Sequence, residues 1–302
     1  MPMADAVVAV GGRRVKLTNL DKVLYPEVGF TKAEVIDYYT RIAPVLLPHL
    51  AGRPLTVRRY PNGVEGKSFF EKNAPSHAPE WVRTVRVETP GSSRGAEYAD
   101  FVVVEDLATL VWVANLAALE LHVPQWRVGA RGGRHSPDLV VFDLDPGEPA
   151  TVVECCRVAC RVREVLVGDG LVPVVKTSGS KGLQVYAAVS VSSPERTSEY
   201  AKGVAQRLAG ESPDEVVWRM AKAQRTGKVL IDWSQNNPAK TTVAPYSLRA
   251  RARPSVSAPV SWEEVEACRV VEDLVFLADE VRERVSSGGE LFAVGEPSPL
   301  PR

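Results

Sequence analysis

Apolar and polar positions along the chain follow two periods. From Thr31 the period is helical: Val35, Tyr38, Tyr39, Ile42 and Leu46 recur at three- and four-residue steps, the spacing that lines one face of an α-helix. Thr31 and Glu34 have capping-box spacing and Phe30 with Val35 forms the flanking staple, so a helix is expected to begin here with Lys32 in its first turn. Pro44 should kink or divide it, and His49 would close it as a favourable C-terminal group. Short apolar runs then predict strands at Leu55–Tyr60, Ser68–Lys72, Thr84–Glu88 and Phe101–Val104, followed by a helix over Leu107–Leu119. In the second half the expected order is strand 139–143, helix about 151–167, strands 172–176 and 183–189, helix 195–209 and strand 228–232. Glu263–Ala267 and Val271–Val285 read as closing helices, and residues 286–302, rich in Ser, Gly and Pro, as a flexible tail. Strands interrupted by long helices imply an α/β core with mixed sheet order.

Two of the predicted strands end in acids. The apolar run Leu139-Val-Val-Phe-Asp143-Leu-Asp145-Pro-Gly closes on two aspartates spaced i, i+2, and side-chain alternation puts both on one face at the mouth of the sheet. Adjacent carboxylates raise each other's pKa unless a cation neutralises them, and hard divalent ions such as Mg²⁺ or Mn²⁺ take such oxygen ligands together with phosphate oxygens. Taken alone, the segment also fits a strand running into a solvated Asp-Leu-Asp-Pro-Gly turn. Lys228-Val-Leu-Ile-Asp232-Trp-Ser-Gln235-Asn236 repeats the pattern. Three strand-end carboxylates suffice for two ions roughly 3.5–4 Å apart, an arrangement that activates an attacking hydroxyl and stabilises leaving pyrophosphate.

Between the acids, Val174-Val-Lys-Thr-Ser178-Gly-Ser-Lys181-Gly-Leu-Gln184 reads as a hairpin whose tip offers N–H groups, hydroxyls and an ammonium to a phosphate. It lacks P-loop spacing, and a strand rather than a helix follows it. Downstream, Lys240 and Arg249 add two cations, of which Arg249 is the better suited to bidentate phosphate contact.

Composition narrows the class. With 302 residues, 45% hydrophobic and 25% charged, the chain can bury a substantial core. No secretory or membrane-length apolar run is present, so the cytoplasm is the expected compartment and no membrane partner is expected. Cys155, Cys156, Cys160 and Cys268 lack paired zinc spacing and read as buried thiols. His77 and His135 fall in loop sequences and are expected at the surface. The formal net charge is zero, but Arg13, Arg14, Lys16, Lys22, Lys32, Arg41, Arg53, Arg58 and Arg59 outnumber the acids of the first sixty residues. A basic N-terminal lobe beside an acidic metal site suits an enzyme held on nucleic acid.

These segments, with Leu17-Thr-Asn19-Leu-Asp-Lys22-Val-Leu-Tyr-Pro26, Phe69-Phe70-Glu-Lys, Leu119-Glu-Leu-His122-Val-Pro-Gln-Trp126 and Ala244-Pro-Tyr-Ser-Leu-Arg249, resemble the polymerase domain of bacterial DNA ligase D, a branch of the archaeo-eukaryotic primase superfamily. The resemblance runs from about Val15 to about Val285. It implies a mixed-sheet primase-polymerase domain over 1–285, with an N-terminal DNA-binding lobe to about 135, a metal and nucleotide core over about 136–255 and closing helices over about 256–285. It implies that Asp143, Asp145 and Asp232 hold two Mn²⁺ or Mg²⁺ ions, that Ser178, Lys181, Gln184, Gln235, Lys240 and Arg249 contact the triphosphate, and that His122 lies near the nucleotide sugar. Lys22 and Lys32 would hold the 5′-phosphate across a gap, Asn19 would contact DNA, Phe69 and Phe70 would stack on the template, and Arg225 would lie in a loop engaged with DNA ends. Adjacent residues on a strand face opposite ways, so one of the two phenylalanine rings is equally readable as core.

The resemblance further implies template-directed filling of short gaps at double-strand breaks, with ribonucleotides favoured over deoxyribonucleotides. Its implied partners are phosphorylated DNA ends, NTP or dNTP, a Ku-like end-binding protein and a separate ligase, at the cytoplasmic nucleoid. De novo priming and non-catalytic bridging of DNA ends are the alternatives. One position departs from the family pattern: Gln184 stands where a histidine is usual, and an amide there donates a hydrogen bond to phosphate but never carries charge.

Overall fold

The computed structural model describes residues 5–89, 97–129 and 132–301. Its core is built from two sheets. In the second half, six strands lie in the order Val216–Val217, Val229–Asp232, Leu139–Pro146, Leu183–Ser190, Pro173–Thr177, Pro259–Val260, with Ser298–Pro299 adding a parallel pairing to the Leu183–Ser190 strand. The central pairs are antiparallel and the Val216–Val217 pair is parallel, which is the mixed order expected. Alternation explains how the sheet is used. Val140, Phe142 and Leu144 point into an apolar cluster with helices α3 (Val152–Gly168) and α4 (Arg196–Glu211), so the intervening Asp143 and Asp145 are delivered to the opposite face.

The first half contributes a second sheet, ordered Thr242–Val243, Ala118–Val123, Pro54–Arg59, Tyr98–Val103, Thr84–Glu88, with Phe69–Glu71 also paired to the Pro54–Arg59 strand. Thr242 and Val243 follow the Asp232 segment in the chain yet pair with Val123 and His122, tying the two sheets together beside the acids. Helix α1 (Lys32–Leu50) begins at Thr31 with the capping box the sequence predicts. Pro44 and Pro48 lie inside it without dividing it, because Tyr38, Tyr39, Ile42, Leu46 and Leu50 are clamped in the core on both sides of the missing hydrogen bond.

Two expectations are corrected. The helix expected over Leu107–Leu119 stops early: α2 spans Leu107–Asn115, Ala117 takes a left-handed φ of 57°, and Ala118–Val123 is a strand. Ala-Ala-Leu-Glu-Leu favours a helix locally, but pairing with the Pro54–Arg59 strand overrides that preference. The tail, read as flexible, is instead docked: after α5 (Trp262–Ala267) and α6 (Ala278–Gly288) the chain buries Phe292, and Glu290 bonds the Tyr246 hydroxyl at 2.7 Å and His49 at 3.2 Å. His49 therefore anchors the C-terminal segment rather than simply closing α1. Cys155, Cys156 and Cys268 are buried and Cys160 half-buried, all as free thiols, while His77 and His135 are exposed. No helix among the described residues is long and apolar enough to cross a membrane.

Candidate active site

Strand register sets four side chains in a line across the second sheet. Asp232 pairs with Asp143, Asp143 with Gln184, and Gln184 with Lys176 on the next strand. Asp145, two residues along, joins the same face, and one carboxylate oxygen from each of Asp143, Asp145 and Asp232 lies within 4.8 Å of the others. Burial pushes the Asp143 carboxyl upward and the Asp145 charge adds to it; Asp145 is raised by burial and by Asp232. The groups repel one another as placed, and the donors are hard oxygens. The cluster therefore fits a divalent cation, which would relieve that repulsion. The strand does not simply run into a solvated turn: a Cβ on Gly147 would lie 1.9 Å from the Arg225 carbonyl oxygen, so the glycine lets the strand end pack against the Arg225 loop.

The turn between the Pro173–Thr177 and Leu183–Ser190 strands sits beside the cluster. A Cβ on Gly182 would lie 2.0 Å from the Leu144 carbonyl oxygen, so only glycine permits this approach. Ser178 Oγ accepts from the N–H groups of Ser180 and Gly182 at 3.2 and 3.1 Å, which shapes the tip. Lys181 reaches outward to Glu148 at 2.7 Å, both side chains being exposed. Gln235 donates to Asp232 Oδ2 at 2.9 Å. Lys240 donates to the Ser234 hydroxyl, which itself donates to Asp232 Oδ1 at 2.5 Å.

A buried carboxylate that the sequence reading did not single out, Glu120, organises the opposite wall. It accepts from His122 Nε2 at 3.1 Å and from the Ala250 N–H at 3.2 Å, and its Oε1 lies 3.3 Å from Arg249 Nε, in a geometry too misaligned for a hydrogen bond. Burial alone would raise the Glu120 carboxyl, but the His122 hydrogen bond and the Arg249 charge hold it at about 2. Burial lowers His122 despite Glu120. Arg249 Nη1 donates to the Ser178 carbonyl at 2.6 Å, linking this wall to the turn. Together these residues enclose a cavity of about 430 Å³ lined by His122, Asp143, Asp145, Ser178, Lys181, Gln184, Arg225, Gln235 and Arg249. Lys240, which is exposed, and the buried Asp232 are not among its lining residues.

Gln184, expected to contact a triphosphate, lines the cavity with its amide already engaged. It is 4% exposed; its Nε2 donates to Asp143 Oδ1 at 3.0 Å and its Oε1 accepts from Lys176 Nζ at 2.5 Å. The amide is engaged at both ends by the protein. Lys176 is wholly buried, and burial lowers its ammonium well below the usual lysine range, with Asp143 opposing.

A second cavity of about 620 Å³ lies at the start of α1 and is lined by Arg14, Lys16, Asn19, Lys22, Lys32 and Arg59, among others. Lys32 is 5% exposed and donates to the Thr18 carbonyl at 2.6 Å; Lys22 donates to Asn62 at 3.0 Å. Asn19 holds the intervening turn with a left-handed φ of 52°. Arg53 and Arg41 do not join this group: Arg53 is buried against Asp138 and Arg41 pairs with Asp37 on α1. Phe69 and Phe70 are 40% and 51% exposed, so neither ring belongs to the core. Arg59 covers the Phe69 ring at 5.4 Å and Arg58 the Phe70 ring at 5.3 Å, while Phe70 also meets His122 edge-on at 5.5 Å, joining the aromatic pair to the first cavity.

Residues 31–292 match the family model of the LigD primase-polymerase domain. The chain belongs to that family. The family is one of nucleotidyltransferases. Among curated relatives, the chain is 46% identical over 281 residues to the multifunctional non-homologous end joining protein LigD of Mycolicibacterium smegmatis, a match covering 93% of this chain and 36% of that protein. It is 31% identical over 278 residues to the bifunctional LigD of Bacillus subtilis, covering 91% and 43%. It thus spans well under half the length of these relatives. The solved polymerase domain of Mycobacterium tuberculosis ligase D in complex with DNA superposes with a TM-score of 0.85 at 43% identity, covering 92% of this chain and 96% of that one. Within the LigD primase-polymerase fold, the sequence reading missed Glu120 and Lys176. Glu120 falls just past the helix expected over Leu107–Leu119, in a strand the periodicity did not show. Lys176 stood in view as an isolated cation in the apolar run Val174-Val-Lys-Thr, but its place opposite Gln184 follows only from the strand register.

Proposed function

We propose that the chain is a template-directed nucleotidyl transferase that fills short gaps at DNA breaks in end-joining repair, using two divalent ions held by Asp143, Asp145 and Asp232. The observation that carries this reading is the convergence, in one cavity, of Asp143 and Asp145 with the Ser178–Lys181 turn and Arg249, Asp232 completing the carboxylate cluster. Bound Mn²⁺ or Mg²⁺ would lower the pKa of a primer 3′-hydroxyl and neutralise leaving pyrophosphate. The chain's own residues do the rest. Lys181 exchanges the exposed Glu148 for a triphosphate, and Arg249 is presented by Glu120 and the Ser178 carbonyl for phosphate contact. His122, fixed by Glu120, faces the sugar, and the exposed Phe69-Phe70 pair stacks on template bases. The relatives' end-joining names and the DNA held by the mycobacterial neighbour support DNA at a break as the substrate.

Paired reactions with and without an annealed primer test the reading: product only with primer supports gap filling, product without primer moves the chain to de novo priming, and DNA binding with no product leaves only a bridging module.

The basic cavity is assigned to the 5′-phosphate of the gap. Burial, with Lys22 alongside, lowers the Lys32 ammonium from its ordinary 10.5 to about 8. Because a phosphate dianion favours the charged form, preference for a phosphorylated gap is expected to be full below about pH 8. It should decline above that by up to ~tenfold per pH unit. Binding of phosphorylated and unphosphorylated gaps between pH 7 and 9.5 measures it. Lys32→Arg should flatten the profile, and a flat wild-type profile would contradict the assignment.

A further inference from the structure

We propose that Lys176 is a positioning residue for the carboxylate cluster: aimed by Ser257, it fixes the direction of the Gln184 amide, and Gln184 thereby presents Asp143 to a cation in one orientation. The inference rests on the nucleotidyl-transfer reading of the site. A glutamine side chain has two chemically opposite ends, and an ionised aspartate only accepts hydrogen bonds. Nε2 must therefore face Asp143, where it lies 3.0 Å from Oδ1. The other end, Oε1, is then committed to a site that is nearly closed to water and needs a donor.

Lys176 Nζ is that donor at 2.5 Å. The alternative, the Tyr186 hydroxyl at 3.3 Å, lies closer to Thr242 Oγ1 at 2.8 Å. Lys176 is aimed in its turn. Ser257 Oγ donates to the Thr177 carbonyl at 2.8 Å, leaving a lone pair to accept from Nζ at 2.7 Å. Each of these hydrogen bonds thus has one possible direction: Lys176 donates to both Ser257 and Gln184, and Gln184 donates to Asp143. Stability does not account for a lysine here. It is fully buried with uncharged hydrogen-bond partners, and an apolar side chain of similar length would fill the space without removing an ammonium from water.

The test is Mn²⁺ binding to the nucleotide-free protein, read as free-ion signal in electron paramagnetic resonance. Lys176→Met is expected to weaken Mn²⁺ binding on the order of tenfold, the usual cost of losing a group that orients a ligand. Simple charge repulsion predicts the opposite, since removing a cation would tighten binding. The thermal midpoint should be unchanged or raised, and binding to 5′-phosphorylated gapped DNA unchanged. In a Gln184→Leu background the same substitution should add no further loss. Ser257→Ala, which removes the aiming acceptor but no charge, should weaken Mn²⁺ binding in the same direction and decides the matter if Lys176→Met fails to fold. Wild-type or tighter Mn²⁺ affinity in the folded variants, or an equal further loss in the Gln184→Leu background, would overturn the proposal. Wild-type protein that binds no Mn²⁺ would overturn the nucleotidyl-transfer reading itself.

Discussion

Asp143→Ala is expected to lower the rate of nucleotide addition on the order of 10³-fold or more, equivalent to ~4 kcal/mol of transition-state stabilisation. Asp143 has the central place in the line: it lies between Asp232 and Gln184 in the register and shares a face with Asp145. Its removal takes away a ligand oxygen and leaves Gln184 Nε2 without an acceptor. Asp232→Ala should behave alike, while also freeing the amide of Gln235 and the hydroxyl of Ser234. The basic cavity at the start of α1 shares no lining residue with the carboxylate site. Affinity for a phosphorylated gap should therefore stay near wild type in both variants. Single-turnover primer extension, alongside DNA binding by fluorescence anisotropy, separates the two properties. Near-normal extension in either variant would contradict the assignment of the cluster.

The complementary result is expected from Lys22→Ala with Lys32→Ala. The two ammonium groups line one cavity beside Asn19, with Lys32 in the first turn of α1, where the helix dipole already favours an anion. Removing each charge-assisted hydrogen bond to the phosphate should cost ~1.5–3 kcal/mol, so the double variant should bind phosphorylated and unphosphorylated gaps with nearly equal affinity. Extension on a primer supplied at saturating DNA should persist. Lys32 also bonds the Thr18 carbonyl, so the thermal midpoint should be followed in parallel. Discrimination that survives in a folded double variant would place the phosphate site elsewhere.

The sequence was most legible where chemistry and local pattern coincide. Alternation along Leu139–Pro146 placed Phe142 and Leu144 inside and Asp143 and Asp145 at the mouth, and the Thr31 capping box located the start of α1. It was least legible where tertiary pairing overrides local preference. The strand Ala118–Val123 looks helical by composition and becomes a strand only because the Pro54–Arg59 strand lies beside it, which hid Glu120 as the clamp of His122 and Arg249. The segment after α6 looked polar and free because the partners of Phe292 and Glu290 are Tyr186, Tyr246 and His49, far away in sequence. Gln184 shows a third limit. Its identity was read as a change in phosphate contact, yet its direction depends on Lys176, a cross-strand neighbour that only the register reveals.

The most direct test of the central claim is single-nucleotide incorporation across a one-nucleotide gap bearing a 5′-phosphate, with each of the four bases as template and with Mn²⁺, Mg²⁺ or chelator present. The account predicts addition of the templated nucleotide only, dependent on the divalent ion and stimulated by the phosphate. Tight binding of the gap with no addition under any metal and nucleotide, or addition that ignores the template base, would contradict it.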